Sequence, residues 1–457
     1  MTTEEERDHK QPPSAVELGA DERVYKVEML ARVEGEGRFW LRLDAAGEVA
    51  DAKLAIFEAP RFFEAFLRGR DLEEVPDIVA RICGICPVAY QMGAVRALER
   101  ILGVDPPSPG IRSLRRLLYC GEWIESHVLH VFMLHAPDFL GYESAIEMAA
   151  DHRARVEQGL RLKKVGNAII EVLGGRAIHP VSPKVGGFSR TPTVAELAAL
   201  RPRLEAALEE AEAVVEWSAG LPMPALELDY VFVSLASEDY PIEFGDEVLV
   251  RGRGRDERVD VDEFLDHFVE DHVAHSNALQ CRLRDGTPYL VGPMARLNLF
   301  ADRLHPRAAR ALERSGLALP VRNPYQSIIV RAVEVVHAFA TALDIVTNYT
   351  RRVEPAFVEL PPAGARAGRA SGGTEAPRGL CWHRYETDAE GLIVDARIVP
   401  PTSQNQARIE RDLVGLAPQL LAMDHGAATR RCEQLIRAYD PCISCATHFL
   451  KLEIERG

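Results

Sequence analysis

The sequence predicts a mainly α-helical protein with small β-sheets, an α+β fold whose body is a central bundle of long helices. Three observations predict it. Ile111, Leu114, Leu118, Gly121, Glu125, Val128, Phe132 and His135 recur at alternating three- and four-residue steps, which is one face of a long helix. Residues 327–349 are apolar on most sides, the mark of a buried central helix. Before residue 58, by contrast, apolar and β-branched residues come in short runs separated by turn signals.

In chain order, residues 1–23 are charged, carry no apolar segment of the secretory kind, and read as a disordered tail. Strands are expected at 24–30, 38–43 and 49–57, with Gly35-Glu36-Gly37 and Ala45-Ala46-Gly47 as the turns. A second long helix is expected over 144–173, stopped by Gly174-Gly175. Thr193 caps a third over 195–220, whose Glu- and Ala-rich sequence has high helix propensity. Shorter helices are expected at 413–421 and 428–439, and the Gly- and Ala-rich stretch 361–373 reads as a flexible loop. No solenoid repeat is visible, and no GxGxxG follows a strand, so no dinucleotide site is expected on this chain. Residues 24–448 read as one domain, against the usual prior of about 150 residues per domain.

Bulk properties exclude several function classes. With 47% hydrophobic and 27% charged residues, the 457-residue chain can bury a large core. Its 69 acidic against 54 basic residues give a net charge of −15, which repels nucleic acid; the short Arg-rich stretches 251–255 and 351–352 read as solvated surface. No apolar run approaches the ~18 residues of a membrane span. Eight cysteines are too sparse for a disulfide scaffold, but four of them form two C-x-x-C pairs, which in a chain without a secretory signal suggests a reducing compartment, the cytoplasm, and a metal.

The pairs are Arg81-Ile82-Cys83-Gly84-Ile85-Cys86-Pro87 and Asp440-Pro441-Cys442-Ile443-Ser444-Cys445-Ala446-Thr447-His448. Each turn brings two sulfurs within reach of one metal, and two turns supply four thiolates. Spacing alone leaves open a four-cysteine zinc site, an iron–sulfur cluster and a catalytic soft-metal site. Zinc ribbons place their pairs ~15–20 residues apart, whereas here nearly the whole chain intervenes. Cys120, Cys281, Cys381 and Cys432 are too scattered to add a cluster.

The flanking residues narrow the choice. RICGIC together with DPCISCATH resembles the paired cysteine signatures of NiFe-hydrogenase large subunits. Arg32-Val33-Glu34-Gly35 resembles the family's RxEG box, and Pro60-Arg61-Phe62-Phe63-Glu64 the segment that supplies a metal-site Glu. Glu375-Ala376-Pro377-Arg378-Gly379 resembles its APRG box, and Val399-Pro400-Pro401-Thr402 the loop over the iron. The resemblance spans residues 24–448, and RICGICPVAYQ is similar to the soluble branch that reaches NAD(P) through partner subunits.

The resemblance implies a large-subunit-like fold with the metal site in the core. Cys83 and Cys442 would be terminal nickel ligands, with Cys86 and Cys445 bridging nickel to an iron that also carries carbon monoxide and two cyanides. Soft thiolates suit both metals. Splitting dihydrogen heterolytically needs a Lewis acid and a base beside it; Cys442 would take the proton first and Glu34 next. Arg378, following Pro377, would lie over the metals and donate to one cyanide, with Asp138 as its carboxylate partner and Asp440 as the second candidate. Thr402 would donate to the other cyanide. Glu64 and His448 would hold magnesium. His179 matches a His near the partner's proximal cluster, and is equally a core histidine.

The resemblance also implies partners. Electrons would leave through an iron–sulfur small subunit and, in the soluble branch, through flavin/iron–sulfur diaphorase subunits to NADP or NAD. Metal-insertion proteins would build the centre, and an endopeptidase would cut after His448, removing residues 449–457 so that the DPCxxC segment folds inward. A dihydrogen-sensing regulatory subunit of the same fold is the alternative, although such forms end at that His. Quinone-reductase relatives lack the four cysteines, and a zinc-stapled structural protein would hold zinc alone.

Overall fold

The computed structural model describes residues 23–59, 62–104, 108–242 and 244–447. The expected tail, His448 and the segment 449–457 lie outside the described residues.

The opening meander forms where expected. Strands β1 (Arg23–Val27), β2 (Gly37–Leu43) and β3 (Val49–Ile56) pair antiparallel in the order β1-β2-β3. A second antiparallel sheet has the order β4-β6-β7, from Phe232–Ala236, Glu247–Gly252 and Arg255–Asp260. Phe268–His272 (β8) pairs with Leu279–Leu283 (β9). A four-stranded sheet runs β12 (Ile393–Val399), β11 (Gly379–Thr387), β10 (Gly368–Ala376) and β5 (Phe244–Gly245).

Seven main helices make the body: α1 (Pro87–Leu102), α2 (Pro109–Leu129), α3 (Ala145–Gly174), α4 (Arg201–Ala219), α5 (Ser327–Asn348), α6 (Pro401–Leu420) and α7 (His425–Ala438). α2 lies between α3 and α5, and α5 packs on α4. The α2–α3 crossing is close because both helices carry glycine there. A Cβ on Gly121 would sit 3.0 Å from Gly166 O, and one on Gly166 2.8 Å from Gly121 O. No helix of the described residues is long and apolar enough to cross a membrane.

The departures from expectation have local causes. The periodic face at 111–135 is not one α-helix: α2 ends at Leu129, a π-helical turn covers His130–His135, and a short helix follows over Ala136–Leu140. Pro137 has no N–H and crowds the carbonyl one turn back, so the wider turn absorbs it. The expected helix at 195–220 is two. Thr193 and Glu196 form a capping box on Val194–Ala198, and α4 restarts with Pro202 in its first turn. The expected 399–402 loop is instead the junction of β12 with α6: Val399 ends the strand, Pro400 precedes the helix and Pro401 is its first position, so that helix begins well before residue 413.

The stretch 361–373 is corrected more deeply, since residues 368–373 belong to the buried strand β10. Its glycines serve close packing rather than flexibility. A Cβ on Gly372 would meet Ala97 N at 2.7 Å and Gly93 O at 2.8 Å, both backbone atoms of α1. Gly372→Ala is therefore expected to cost about 1–3 kcal/mol by overpacking, read as a lower thermal unfolding midpoint.

Candidate metal centre

The first cysteine pair is set by α1. Cys86 is the residue before the helix and Pro87 its first position, where a fixed φ and a missing N–H are both harmless. The free N–H groups of Val88 and Ala89 donate to the Glu122 carboxylate of α2, at 2.6 and 3.1 Å. α2 thereby caps α1 and fixes the turn from outside. Within the turn, the N–H groups of Ile85 and Cys86 both donate to Cys83 Sγ at 3.3 Å.

The second pair follows α7. Asp440 takes φ +53°, a left-handed conformation that Asp tolerates, and turns the chain inward. Cys442 then meets the RxEG segment in an isolated parallel bridge with Glu34, whose carbonyl accepts the Ile443 N–H at 2.8 Å. Gly35 is required at this meeting. At φ +90°, a Cβ there would lie 2.5 Å from Glu58 Oε2 and 2.8 Å from Ile443 Cβ.

The two pairs converge. Cys83 Sγ lies 3.5 Å from Cys442 Sγ, Cys86 Sγ 3.6 Å from Cys445 Sγ, and Cys442 Sγ 2.8 Å from Cys445 Sγ. All four sulfurs are buried and lie within 4.8 Å of one another, and they are the one such group among the described residues. Hydrogen bonds from Cys442 and then Cys445 hold Cys83 well below the usual thiol range, while burial pushes Cys442 well above it. Four ionised sulfurs at this spacing repel one another unless soft cations sit among them, which is what the donor set fits.

Around the sulfurs, Cys442 Sγ donates to Glu34 Oε2 at 3.1 Å, and the same oxygen accepts the Ser444 N–H at 3.0 Å. Ser444 Oγ in turn donates to the half-buried Glu58, at 3.0 and 3.2 Å. Thr402 Oγ1 accepts the Cys442 N–H at 3.0 Å. Arg378 is buried beside the cluster. Burial works against its charge, but Asp440 and the thiols keep it protonated.

The carboxylate partner of Arg378 is Asp440, which corrects the expectation of Asp138. Arg378 donates from Nε to Asp440 O at 2.7 Å and from a terminal nitrogen to Asp440 Oδ1 at 3.1 Å. Asp138 is held elsewhere, by Arg437 at 2.8 Å on both oxygens and by Arg32 at 2.6 Å. Sequence reading also missed Ser126, which accepts from Arg378 at 3.3 Å, and the capping Glu122. Their one signal was polarity on a helix predicted to be buried.

Glu64 is not part of the four-sulfur group. Its Oε1 accepts the Ile398 N–H at 2.8 Å, Arg397 stands 3.8 Å from Oε2, and burial pushes its carboxyl up to about 8. His179 is half-buried, near Cys83, and burial lowers its imidazole below the usual range. The Pro377 carbonyl faces Arg296.

Comparison with known proteins agrees with this geometry. Residues 61–161 match the nickel-dependent hydrogenase family, and residues 26–59 match a HoxL-like family. The chain is 35% identical over 431 residues to sulfhydrogenase 2 subunit alpha of Pyrococcus furiosus, covering 94% of this chain and 100% of the relative. It is 28% identical over 481 residues to the NAD-reducing hydrogenase HoxS subunit beta of Cupriavidus necator, covering 94% and 95%. Among solved structures, an NAD+-reducing [NiFe]-hydrogenase in the H2-reduced state superposes with a TM-score of 0.84 at 29% identity, over 93% of this chain and 99% of that one. A Ni-Fe-Se hydrogenase from D. vulgaris Hildenborough shares the fold at 23% identity, with a TM-score of 0.76 over 93% and 100% of the two chains.

The chain belongs to the large-subunit family of nickel-dependent hydrogenases. It is accordingly an oxidoreductase acting on dihydrogen.

Proposed function

We propose that this chain is the catalytic subunit of a cytoplasmic NiFe hydrogenase that interconverts dihydrogen with protons and electrons, with NADP or NAD as the distant electron partner. The observation that carries it is the meeting of Cys83, Cys86, Cys442 and Cys445 in the core, with Glu34 on Cys442.

Cys83 and Cys442 would hold nickel as terminal ligands, and Cys86 and Cys445 would bridge it to an iron bearing carbon monoxide and two cyanides. When bound, that centre supplies a Lewis acid that polarises dihydrogen and accepts its electrons. The protein's own part is to receive and remove the proton. Cys442 Sγ is the first acceptor, since a terminal thiolate retains basicity. Glu34 Oε2, 3.1 Å away, is the next. Ser444 and Glu58 continue the polar line toward the half-buried edge.

Arg378 would be the cation beside the centre. Asp440 and Ser126 take three of its five guanidinium N–H groups among the described residues, which leaves two to donate to a diatomic ligand. Thr402 keeps its hydroxyl hydrogen for a second one, while its oxygen holds the Cys442 N–H. Pro377, next to Arg378 in the chain, would line the same wall. Glu64 would hold magnesium together with His448, since a carboxyl pushed up to about 8 by burial gains from a nearby cation.

The partners follow from this chemistry: an iron–sulfur small subunit to carry electrons away, flavin/iron–sulfur diaphorase subunits beyond it, metal-insertion proteins, and an endopeptidase acting after His448. Residues 24–448 would work as one catalytic domain. The test is dihydrogen-dependent reduction by the purified complex of NADP, NAD and a viologen dye side by side. Reduction of the dye with one of the two nucleotides is expected. A complex containing nickel and iron that reduces none of the three would contradict the reading.

A further inference from the structure

Arg378 sits at an awkward place in the fold. β10 and β11 pair through Ala376 and Gly379, so Pro377 and Arg378 alone form the hairpin loop. Two-residue hairpins favour positive φ at their central positions, which proline cannot adopt. This loop therefore lacks a turn that would hold it by local preference.

It is held from outside instead. Arg296, on the short helix Pro293–Phe300, is fully buried and uses all five of its N–H donors. Nε and one terminal nitrogen grip Glu334 at 2.9 and 2.8 Å, and the other terminal nitrogen takes Glu375 Oε2 at 2.7 Å. The two remaining hydrogens go to the carbonyls of Ala376 and Pro377, both at 2.9 Å. These are the two peptide groups directly before Arg378.

The clamp is itself braced. The guanidinium carbon lies 4.2 Å from the Trp123 ring centroid, and Trp123 Nε1 donates to Glu375 O at 3.0 Å. Tyr240 donates to Glu334 at 2.6 Å, and Ser234 to Glu375 at 2.9 Å. On the other side, Gly292, the residue before the same helix, presses on the loop: a Cβ there would lie 2.5 Å from Arg378 O. A structural ion pair needs no contact with that loop. Arg115–Glu99 is such a pair, equally buried and built on the far end of α1.

We propose that Arg296 is a positioning residue for the reaction: its fork, anchored on Glu334 and Glu375, fixes the Pro377-Arg378 loop and so sets where the Arg378 guanidinium stands relative to the thiolate cluster. This rests on the role proposed above for Arg378.

The experiment compares Arg296→Lys with Arg115→Lys in the purified holoenzyme complex. Lysine keeps the charge of each pair and removes the fork. Glu99, which pairs with Arg115 of α2, is roughly 18 Å along α1 from Pro87, so the Arg115 variant reports the cost of weakening a buried pair alone. Arg296→Lys is expected to lower kcat for dihydrogen-dependent dye reduction about tenfold or more per nickel, as a misplaced group does. The infrared bands of the iron's diatomic ligands should shift with it, while Arg115→Lys leaves both unchanged.

Trp123→Phe keeps the ring under the guanidinium and removes only the N–H to Glu375, so it should show the same band shift, smaller, even where Arg296→Lys fails to fold. Crystal structures of the native and variant proteins read the loop directly and need no loaded centre. A native complex without those bands would refute the proposed function, whereas the loop position would still decide this inference. An Arg378 that stays in place against Asp440 in Arg296→Lys and Trp123→Phe, with bands and per-nickel kcat unmoved, overturns it.

Discussion

Cys442→Ser is expected to lose activity by at least about a thousandfold, because the four sulfurs act as a unit and effects within such a unit do not divide between members. The change is nearly isosteric, so the fold should persist. Its chemistry is not conservative. A serine hydroxyl is a hard donor that stays protonated at neutral pH, and soft metals select thiolate. The substitution also removes the S–H that donates to Glu34 Oε2 at 3.1 Å. Nickel content, measured beside dye reduction, separates the two consequences. Loss of both is the expected pattern, and full turnover with nickel retained would remove Cys442 from the account.

Glu34→Gln has the second largest expected effect, and it isolates the proton. The glutamine oxygen can still accept the Ser444 N–H that Glu34 Oε2 accepts now, so the bridge to Cys442 and the metal content should survive. What disappears is a group able to take a proton and release it, a contribution of about 100- to 10,000-fold. Dihydrogen oxidation and exchange with deuterated water should both fall by that factor. Nickel and iron should stay at the native level. Exchange at the native rate in this variant would show that the proton leaves Cys442 by another route.

These two residues were legible in the sequence for different reasons. The cysteines announce themselves, since a C-x-x-C turn has few uses and its flanks are specific. Glu34 carries no such mark by composition, and what singles it out is the resemblance of Arg32-Val33-Glu34-Gly35 to the RxEG box; the structure adds the reason for Gly35, a positive φ with no space for a Cβ beside Ile443.

The environment was less legible. Asp138 and Asp440 are both acidic residues beside buried arginines, and only three-dimensional packing decides that Arg437 and Arg32 take the first, leaving the second to Arg378. Ser126 and Glu122 sit on a helix whose periodicity correctly signals burial, yet periodicity does not say what a buried polar group faces. α1 was not read as a helix, although it carries the first cysteine pair's geometry. The glycines of β10 read as a loop because composition reports flexibility and not close approach. Gly372 packs within contact of the α1 backbone, and that constraint exists only once both elements are in place.

The fold itself was legible because long helices repeat their signal many times. α3 ends at Gly174 before Gly175 at φ +85°, as a helix followed by glycine should. Breaks were missed where one proline, at 137 or 202, acts on a single turn.

The central claim is that two distant C-x-x-C turns hold nickel and iron together. Metal analysis with nickel-edge X-ray absorption on the anaerobically purified complex tests it most directly. The account predicts nickel together with an excess of iron, because the iron–sulfur partners carry iron as well, with the nickel in a sulfur shell that Cys442→Ser abolishes. Zinc alone, or nickel surrounded by oxygen and nitrogen, would contradict it.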